Sequence, residues 1–311
     1  GGAGVGFIYV CQLSTLVKWF PNNKGAITGI ATAFFAIGAI MFKEVITRLL
    51  SISDTTVYTS DVVTSTFMTL GIVYAIMTIT GALLLDVPEK IENSAKTLED
   101  EGEDFDTKKL LCSPNFYKLL FSDLLALMPG LLIIGLAKDI GTEYIGILDS
   151  DLITAAALVG YLAIFNAGGR LVSGRLADKF GALNVYRTMY FVTIISLFFL
   201  SFVQVKPVAI VALLFISIGY GSFLSLVPTI TGKLFGSKYF SANYSLIFQA
   251  YGAAALLGIY IKKNVTFDQA FTIAMVTAAA GLIVAMTIKD NKKNSYKDIT
   301  DTAAVQQLPH L

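Results

Sequence analysis

Nine apolar segments of membrane-spanning length restrict most strongly what this chain can form. They run roughly over residues 1–17, 24–47, 65–86, 114–137, 152–175, 186–204, 207–228, 241–261 and 267–288. An α-helix rises about 1.5 Å per residue, so about twenty residues cross the roughly 30 Å hydrocarbon core of a bilayer. Hydrophobic residues make up 55% of the chain, against 14% charged residues. The sequence therefore predicts an all-α membrane protein with nine transmembrane helices, because helices satisfy their own backbone polar groups in lipid.

The distribution of basic residues predicts an orientation. When Lys18 and Lys24 are placed in the cytoplasm, the connections on that side collect most of the other lysines and arginines. The positive-inside rule then makes the C-terminus cytoplasmic. The segment over 87–113 is longer and more acidic than the other connections, which is typical of a solvated linker. The predicted units are the end of a first helical bundle, this cytoplasmic linker, a six-helix bundle and a cytoplasmic tail: 1–86, 87–113, 114–288 and 289–311.

The charge balance argues against several kinds of function. The net charge is +1 and no basic block is present, so nothing is available to neutralise a nucleic-acid backbone. No helix combines a histidine cluster or a nucleophile with a base, so we expect no enzyme activity, no cofactor and no metal. The expected setting is the lipid bilayer, with the chain as a monomer. The plasma membrane is the predicted location, and an organellar membrane is the alternative.

A single cation interrupts the fifth apolar segment. Arg170 is the only side chain between Leu152 and Gly174 that is charged at neutral pH, and it lies about 12 Å along the helix from Asp178. Placing an arginine at the centre of a membrane helix costs about 2.5–3.5 kcal/mol, and such residues usually face a bundle interior or a water-filled path. A guanidinium can hold a carboxylate with two parallel hydrogen bonds, so Arg170 predicts an anion site. Pairing with a buried acid or with carbonyl groups is the alternative.

Two stretches resemble signatures of the major facilitator superfamily: WFPNNKGAITGI at 19–30 and NAGGRLVSGRLADKFG at 166–181. The resemblance implies the twelve-helix facilitator fold, of which this chain matches helices four to twelve. We therefore expect an N-terminally truncated chain. The second stretch contains a glycine-bracketed turn that resembles the superfamily's cytoplasmic gate latch, formed here by Gly174, Asp178, Lys179 and Gly181.

The physical basis of that turn can be stated from its residue types. Glycines let the helix end turn tightly, and Asp178 can accept hydrogen bonds from the N-terminus of a neighbouring helix or from a basic side chain. A helix-ending turn with ordinary interface charges is the alternative interpretation.

A closer resemblance is to the oxalate:formate antiporter family of carboxylate transporters. It rests on GAGVGFIY, KWFP, KG and TG near the start and on FNAGGR and ANYSLIFQAYGAAA later in the chain. The resemblance implies that Arg170 binds the substrate carboxylate. Oxalate-type members also present a lysine on helix eleven, where this chain has Tyr251. One cation suits a monocarboxylate such as formate, lactate or pyruvate, because the second carboxylate of a dianion would be left without a partner in a low-dielectric site. Helices outside this chain could supply another cation.

Further candidates for the substrate site are aromatic residues at positions that the resemblance assigns to it, and two amides near Arg170 and Tyr251 in sequence: Tyr9, Phe35, Tyr220, Phe248, Asn166 and Gln249. Helix packing and interhelical hydrogen bonding explain the same residue types almost as well.

Asp123 lies inside the fourth apolar segment, where the family pattern has no acid. A buried carboxylate can carry a coupling proton, whereas contact with water or pairing with Lys118 is the alternative.

Together these features predict a secondary active transporter of small organic anions, in first place monocarboxylates, that works by alternating access. A proton or a counter-anion would be its second partner. The alternatives are an oxalate:formate-type dicarboxylate exchanger, a non-transporting membrane receptor, and an inactive truncated product.

Overall fold

The computed structural model describes residues 2–51, 60–86, 104–148, 150–151, 153–203 and 205–289, and within these ranges the chain forms helices and no strands. The main helices, labelled in chain order, are α1 Gly2–Trp19, α2 Lys24–Ser51, α3 Ser60–Leu84, α4 Thr107–Leu111, α5 Pro114–Gly135, α6 Ala155–Phe180, α7 Ala182–Phe202, α8 Lys206–Phe235, α9 Phe240–Ile247, α10 Gln249–Asn264 and α11 Phe267–Met286. Shorter helical pieces cover Pro21–Asn23, Ala137–Asp139 and Ile140–Tyr144.

Six helical stretches in the described part of the chain are long and apolar enough to cross a membrane: α3, α5, α7, α8, α9 with α10, and α11. Each coincides with a predicted apolar segment. The other three predicted segments form α1, α2 and α6, and their membrane crossing stays a prediction. Helix α6 is less apolar than α2 and α8 because it combines many small residues with a charged C-terminal turn. That composition fits its position, since α6 lies between α2 and α8.

Glycines set the close approach of α6 and α8 at the centre of the fold. A Cβ atom at Gly169 would overlap the backbone of Ile218, and a Cβ atom at Gly221 would overlap the backbone of Asn166. Small residues at a helix crossing let two backbones come into contact in a membrane protein. The crossing therefore holds Asn166, and with it Arg170 one turn later, at a fixed position against α8.

The end of the predicted linker packs onto the C-terminal helices. Asp106 caps α4 by accepting a hydrogen bond from the backbone N–H of Lys109 at 2.8 Å. The backbone N–H of Phe105 donates to the carbonyl oxygen of Phe235, and the amide of Asn243 donates to the carbonyl oxygen of Phe105. Residues 104–113 thus form part of a folded unit with α8 and α9. The rest of the predicted linker, 87–103, and the tail from 290 onward lie outside the described residues.

Candidate substrate site

Arg170 lies at the centre of the bundle, where α2, α6 and α8 meet. Its side chain is buried, with 5% of the residue exposed. The guanidinium Nε donates to Oδ1 of Asn166 at 3.0 Å, and one terminal nitrogen donates to the carbonyl oxygen of Thr32 at 2.7 Å. These two hydrogen bonds use two of the five N–H groups that an arginine carries. The other N–H groups supply what a carboxylate needs, and Asn166 holds the guanidinium in place from one helical turn away.

A chain of aromatic rings runs from α1 and α2 to α9 and α10 beside Arg170. Tyr9 contacts Phe35 at 5.4 Å between ring centroids and stacks on Phe248 at 5.1 Å. Phe248 stacks in turn on Tyr251 at 5.3 Å. Aromatic pairs at such separations stabilise one another beyond the area that they bury. The structure therefore brings four of the predicted site residues together.

Four tyrosine side chains interact electrostatically with the guanidinium of Arg170. Tyr9, Tyr220, Tyr244 and Tyr251 are close enough to interact with Arg170. The same interactions include no lysine, arginine or carboxylate from the described part of the chain. Phenol hydroxyl groups can donate to a carboxylate but carry no charge of their own at neutral pH. The described site therefore combines one cation with several neutral donors.

Tyr220 reaches this site from α8 because α5 has a glycine opposite it. A Cβ atom at Gly130 would overlap the ring of Tyr220. Tyr220 is consequently 8% exposed and packed over the α5 backbone. A larger residue at this crossing would displace the ring, and with it one of the donors near Arg170.

Tyr244 is a site residue that the sequence analysis missed. It is buried, lies next to Tyr9 at 6.5 Å between centroids, and contacts Phe248 at 5.5 Å. The sequence did contain an indication of its position. Tyr244, Phe248 and Tyr251 are four and three residues apart, which places them on one face of a helix.

Gln249 is not part of this cluster. Its side chain is exposed, and its amide donates to the carbonyl oxygen of Ser245, four residues earlier in the sequence. Two residues correspond to about 200° around a helix, so Gln249 and Tyr251 project to opposite sides. The expectation that Gln249 and Tyr251 would both lie near Arg170 took account of their depth along the helix axis. It did not take account of the direction in which each side chain projects around that axis.

The predicted gate turn closes one end of the α2–α6 interface. Asp178 accepts two hydrogen bonds from the first backbone N–H groups of α2, from Gly25 at 2.8 Å and from Ala26 at 2.7 Å. A carboxylate at this point satisfies unpaired helix donors and complements the positive end of the helix dipole. Because Gly25 and Gly174 face each other with no side chain between them, Asp178 can reach the α2 backbone.

The remaining motif residues have different surroundings. Gly181 joins α6 to α7 with a φ of +87°, a backbone conformation that favours glycine. Lys179 is exposed, and its ammonium group lies over the ring of Phe180 at 5.2 Å. Of the two charged motif residues, Asp178 is the one that the structure joins to α2.

Between the levels of Asp178 and Arg170, buried hydroxyl groups form further hydrogen bonds that join α2, α6 and α8. The hydroxyl of Thr28 lies 2.7 Å from that of Thr229 and donates to the carbonyl oxygen of Ser225 at 3.2 Å. Ser225 is bonded in turn to Ser173 at 2.9 Å. These bonds join α2 to α8 and α8 to α6, so separating α2 from α6 and α8 at this end would break several of them at once.

Asp123 lies in α5 and is buried, with 2% of the residue exposed. Its Oδ1 has no hydrogen-bond partner among the described residues. Lys118, the cation considered for it, donates to the carbonyl oxygen of Thr287 instead. In this conformation Asp123 therefore neither reaches bulk water nor pairs with Lys118.

Residues 1–259 match the family described as Major Facilitator Superfamily. The chain belongs to the Major Facilitator Superfamily. It is therefore an integral, multi-pass membrane protein of a family of transporters, as the motifs around Gly25 and Asp178 predicted.

Relatives of this facilitator chain include carriers with named substrates. It is 26% identical over 318 residues to the oxalate:formate antiporter of Oxalobacter formigenes, covering 99% of this chain and 72% of that protein. It is 28% identical to the uncharacterised MFS-type transporter YhjX of Escherichia coli strain K12, covering 82% of this chain and 60% of YhjX. It is 27% identical to apicoplast pyruvate carrier 1 of Toxoplasma gondii, covering 92% of this chain and 61% of that carrier. The facilitator chain thus spans about 60–70% of the length of these relatives.

A solved structure confirms the fold. The crystal structure of FucP, a major facilitator transporter in the outward conformation, superimposes with a TM-score of 0.68 at 15% identity and covers 92% of this chain and 74% of FucP. At that identity the likeness concerns the fold alone.

Proposed function

We propose that this facilitator chain forms the main part of a secondary active carrier of small monocarboxylates, of the formate, lactate and pyruvate class. The observation that carries the proposal is Arg170, a buried cation at the centre of the bundle that is held by Asn166 and lies close enough to four tyrosines to interact with them. A carboxylate that enters this site pairs with the guanidinium through two N–H groups and accepts further bonds from the phenols. Rocking of α2 against α6 and α8 would expose the site to each side of the membrane in turn.

The charge count favours a monoanion over a dianion. Tyr251 occupies the place where the oxalate-type pattern has a lysine, and its ring stacks on Phe248. A second carboxylate would be buried next to phenols without a cation, which costs several kcal/mol in a site of low dielectric constant. Arg170 alone neutralises a monocarboxylate. The named substrates of the relatives, oxalate with formate and pyruvate, support a carboxylate as the class.

The uptake of labelled formate, lactate, pyruvate and oxalate into vesicles that contain the full natural protein tests this proposal. Arg170→Ala should lower monocarboxylate uptake about 30-fold or more, because losing a buried charged partner costs about 2–5 kcal/mol. Arg175→Ala is the matched control, since Arg175 lies on the same helix but is exposed. Tyr251→Lys should add oxalate uptake, and Tyr251→Phe should not.

Two results would contradict the proposal in different ways. Oxalate uptake by the unmodified protein would mean that a second cation reaches the site from elsewhere and would favour an oxalate:formate-type exchanger. Binding of these anions without flux would favour a receptor on the same fold, and no binding of any of them would reject a carboxylate site.

The positive-inside pattern supports a cytoplasmic C-terminus. The Asp178 end of α6 would then be cytoplasmic, and the conformation described here would be closed on that side. Protease accessibility of a C-terminal epitope in intact and permeabilised cells tests the orientation, and an epitope cleaved in intact cells would reverse it.

A further inference from the structure

Helix α9 brings Tyr244 to the proposed anion site, and it is only eight residues long. It ends at Ile247, and a turn at Phe248 separates it from α10. At this turn the backbone N–H of Tyr251 donates to the carbonyl oxygen of Phe248, three residues earlier, where a regular α-helix has a four-residue step. The position of Tyr244 therefore depends in part on what holds the first turn of α9.

Asn243, the residue before Tyr244, joins α9 to the end of the linker. Its side chain is buried, with 0% of the residue exposed, and its amide nitrogen donates to the carbonyl oxygen of Phe105 at 2.9 Å. The Oδ1 atom of this amide has no hydrogen-bond partner among the described residues. The bond to Phe105 thus satisfies a buried group that is otherwise unpaired, and losing such a bond costs more than the bond itself contributes.

The end of the linker is itself fixed to the corner between α8 and α9. The backbone N–H of Phe105 donates to the carbonyl oxygen of Phe235 at 3.0 Å, and the two rings meet edge to face at 5.4 Å. The carboxylate of Asp104 accepts a hydrogen bond from the backbone N–H of Lys238 at 3.2 Å. Asp104 fits there because a Cβ atom at Gly236 would overlap its carboxylate. Asp104 and Phe105 therefore brace the corner from which α9 begins.

The other support of α9 comes from α1. The hydroxyl of Ser241 donates to that of Ser14 at 2.6 Å, and the ring of Tyr244 lies 6.5 Å from that of Tyr9. In the proposed alternating-access cycle, α1 and α9 belong to opposite bundles and separate when this end opens. The contact with the linker end lies beside α8 and α9 and can persist through the cycle.

We propose that Asn243 is a positioning residue for the anion site, which holds α9 on Phe105 and so keeps the hydroxyl of Tyr244 beside Arg170. This inference rests on the proposed function of Arg170. It gives the end of the linker, residues 104 and 105, an effect on substrate affinity from a place that does not touch the substrate.

A double-mutant cycle on the full natural protein tests this role, with the binding of labelled formate, lactate and pyruvate as the measurement. Asn243→Ala should weaken monocarboxylate binding about three- to tenfold, as Tyr244→Phe should, because each removes the same hydroxyl bond to the anion. In the Tyr244→Phe background, Asn243→Ala should weaken binding less than about twofold, because that hydroxyl is already absent. A general loss of folding would lower binding equally in both backgrounds.

A pair of exposed linker acids supplies a second variant and its control. Asp104→Ala removes the carboxylate that bonds to Lys238 and should weaken binding about twofold to threefold, again only when Tyr244 has its hydroxyl. Asp106→Ala removes a carboxylate that caps α4 and should leave the affinity unchanged. Because both residues are exposed, this pair decides the question if Asn243→Ala does not fold.

The outcomes separate this inference from the proposed function. If Asn243→Ala, or Asp104→Ala in its place, weakens binding equally with and without the Tyr244 hydroxyl, or not at all, the positioning role is rejected and the anion site stands. Equal effects of Asp104→Ala and Asp106→Ala reject the part played by the linker end. If the unmodified protein binds none of the three anions, both proposals fail.

Discussion

Asp178→Asn isolates the contribution of one carboxylate to the closed conformation. The aspartate accepts two backbone N–H bonds from the start of α2, at 2.8 and 2.7 Å. Asparagine has nearly the same shape but offers one acceptor oxygen and no charge. The substitution therefore removes one hydrogen bond and the attraction to the helix dipole, and it leaves the packing of Gly25 against Gly174 unchanged.

The expected effect follows from those two losses. A hydrogen bond to a charged group contributes about 1.5–3 kcal/mol, and a charge at a helix N-terminus contributes about 0.3–1 kcal/mol. Because Asp178 is partly exposed, the lower ends of both ranges apply, and they sum to about 2 kcal/mol. The ratio of closed to open molecules at this end should then fall about 30-fold.

Distances between spin labels at the two sides of this contact measure that ratio. With labels at Asn23→Cys and Phe180→Cys in a cysteine-free background, Asp178→Asn should move population from the short to the long distance. Lys179→Gln should leave the distribution nearly unchanged, because that ammonium contacts only the ring of Phe180 in the described structure. An unaltered distance distribution in Asp178→Asn would refute the reasoning.

Three further substitutions test the packing and the site. Gly130→Ala forces a methyl group against the ring of Tyr220 and should destabilise the protein by about 1–3 kcal/mol in thermal unfolding, whereas Gly135→Ala, with open space around its Cβ position, should not. Thr28→Val keeps the volume but removes a buried hydroxyl bond to α8, so it should weaken the closed conformation about fivefold in the same label measurement. Tyr244→Phe removes a hydroxyl near the guanidinium and should weaken monocarboxylate binding about three- to tenfold in a ligand-induced thermal shift; equal shifts would place that hydroxyl outside the site.

The positions of the helices were largely readable from the sequence because they depend on local length and apolarity. The predicted segment 114–137 forms Pro114–Gly135, and 267–288 forms Phe267–Met286. The break between α9 and α10 was not predicted. It occurs at Phe248, where no proline or glycine marks a helix end, and the ring of that residue stacks on Tyr9 and Tyr251.

The site was readable in part. Arg170 could be recognised because it is a single charge within an apolar segment, and its distance from Asp178 follows from the number of residues between them on one helix. The partners of Arg170 are different in kind, since the carbonyl oxygen of Thr32 is 138 residues away in sequence and backbone groups leave no side-chain signal. Direction around a helix was the weaker part of the reasoning, as Gln249 shows, whereas depth along the helix was adequate for Tyr251.

Helices α2 and α6 contact each other through backbone atoms at Gly25, Gly29 and Gly174. A side chain introduced at one of these glycines would push the two helices apart. A Cβ atom at Gly29 would come to 2.5 Å from the carbonyl oxygen of Arg170, so one added methyl group acts only when the two helices are together. Gly29→Ala would leave the separated arrangement untouched and penalise the joined one. The same three positions therefore provide conformational locks, with which the opposite state of the protein can be populated for structural work without altering a residue of the proposed anion site.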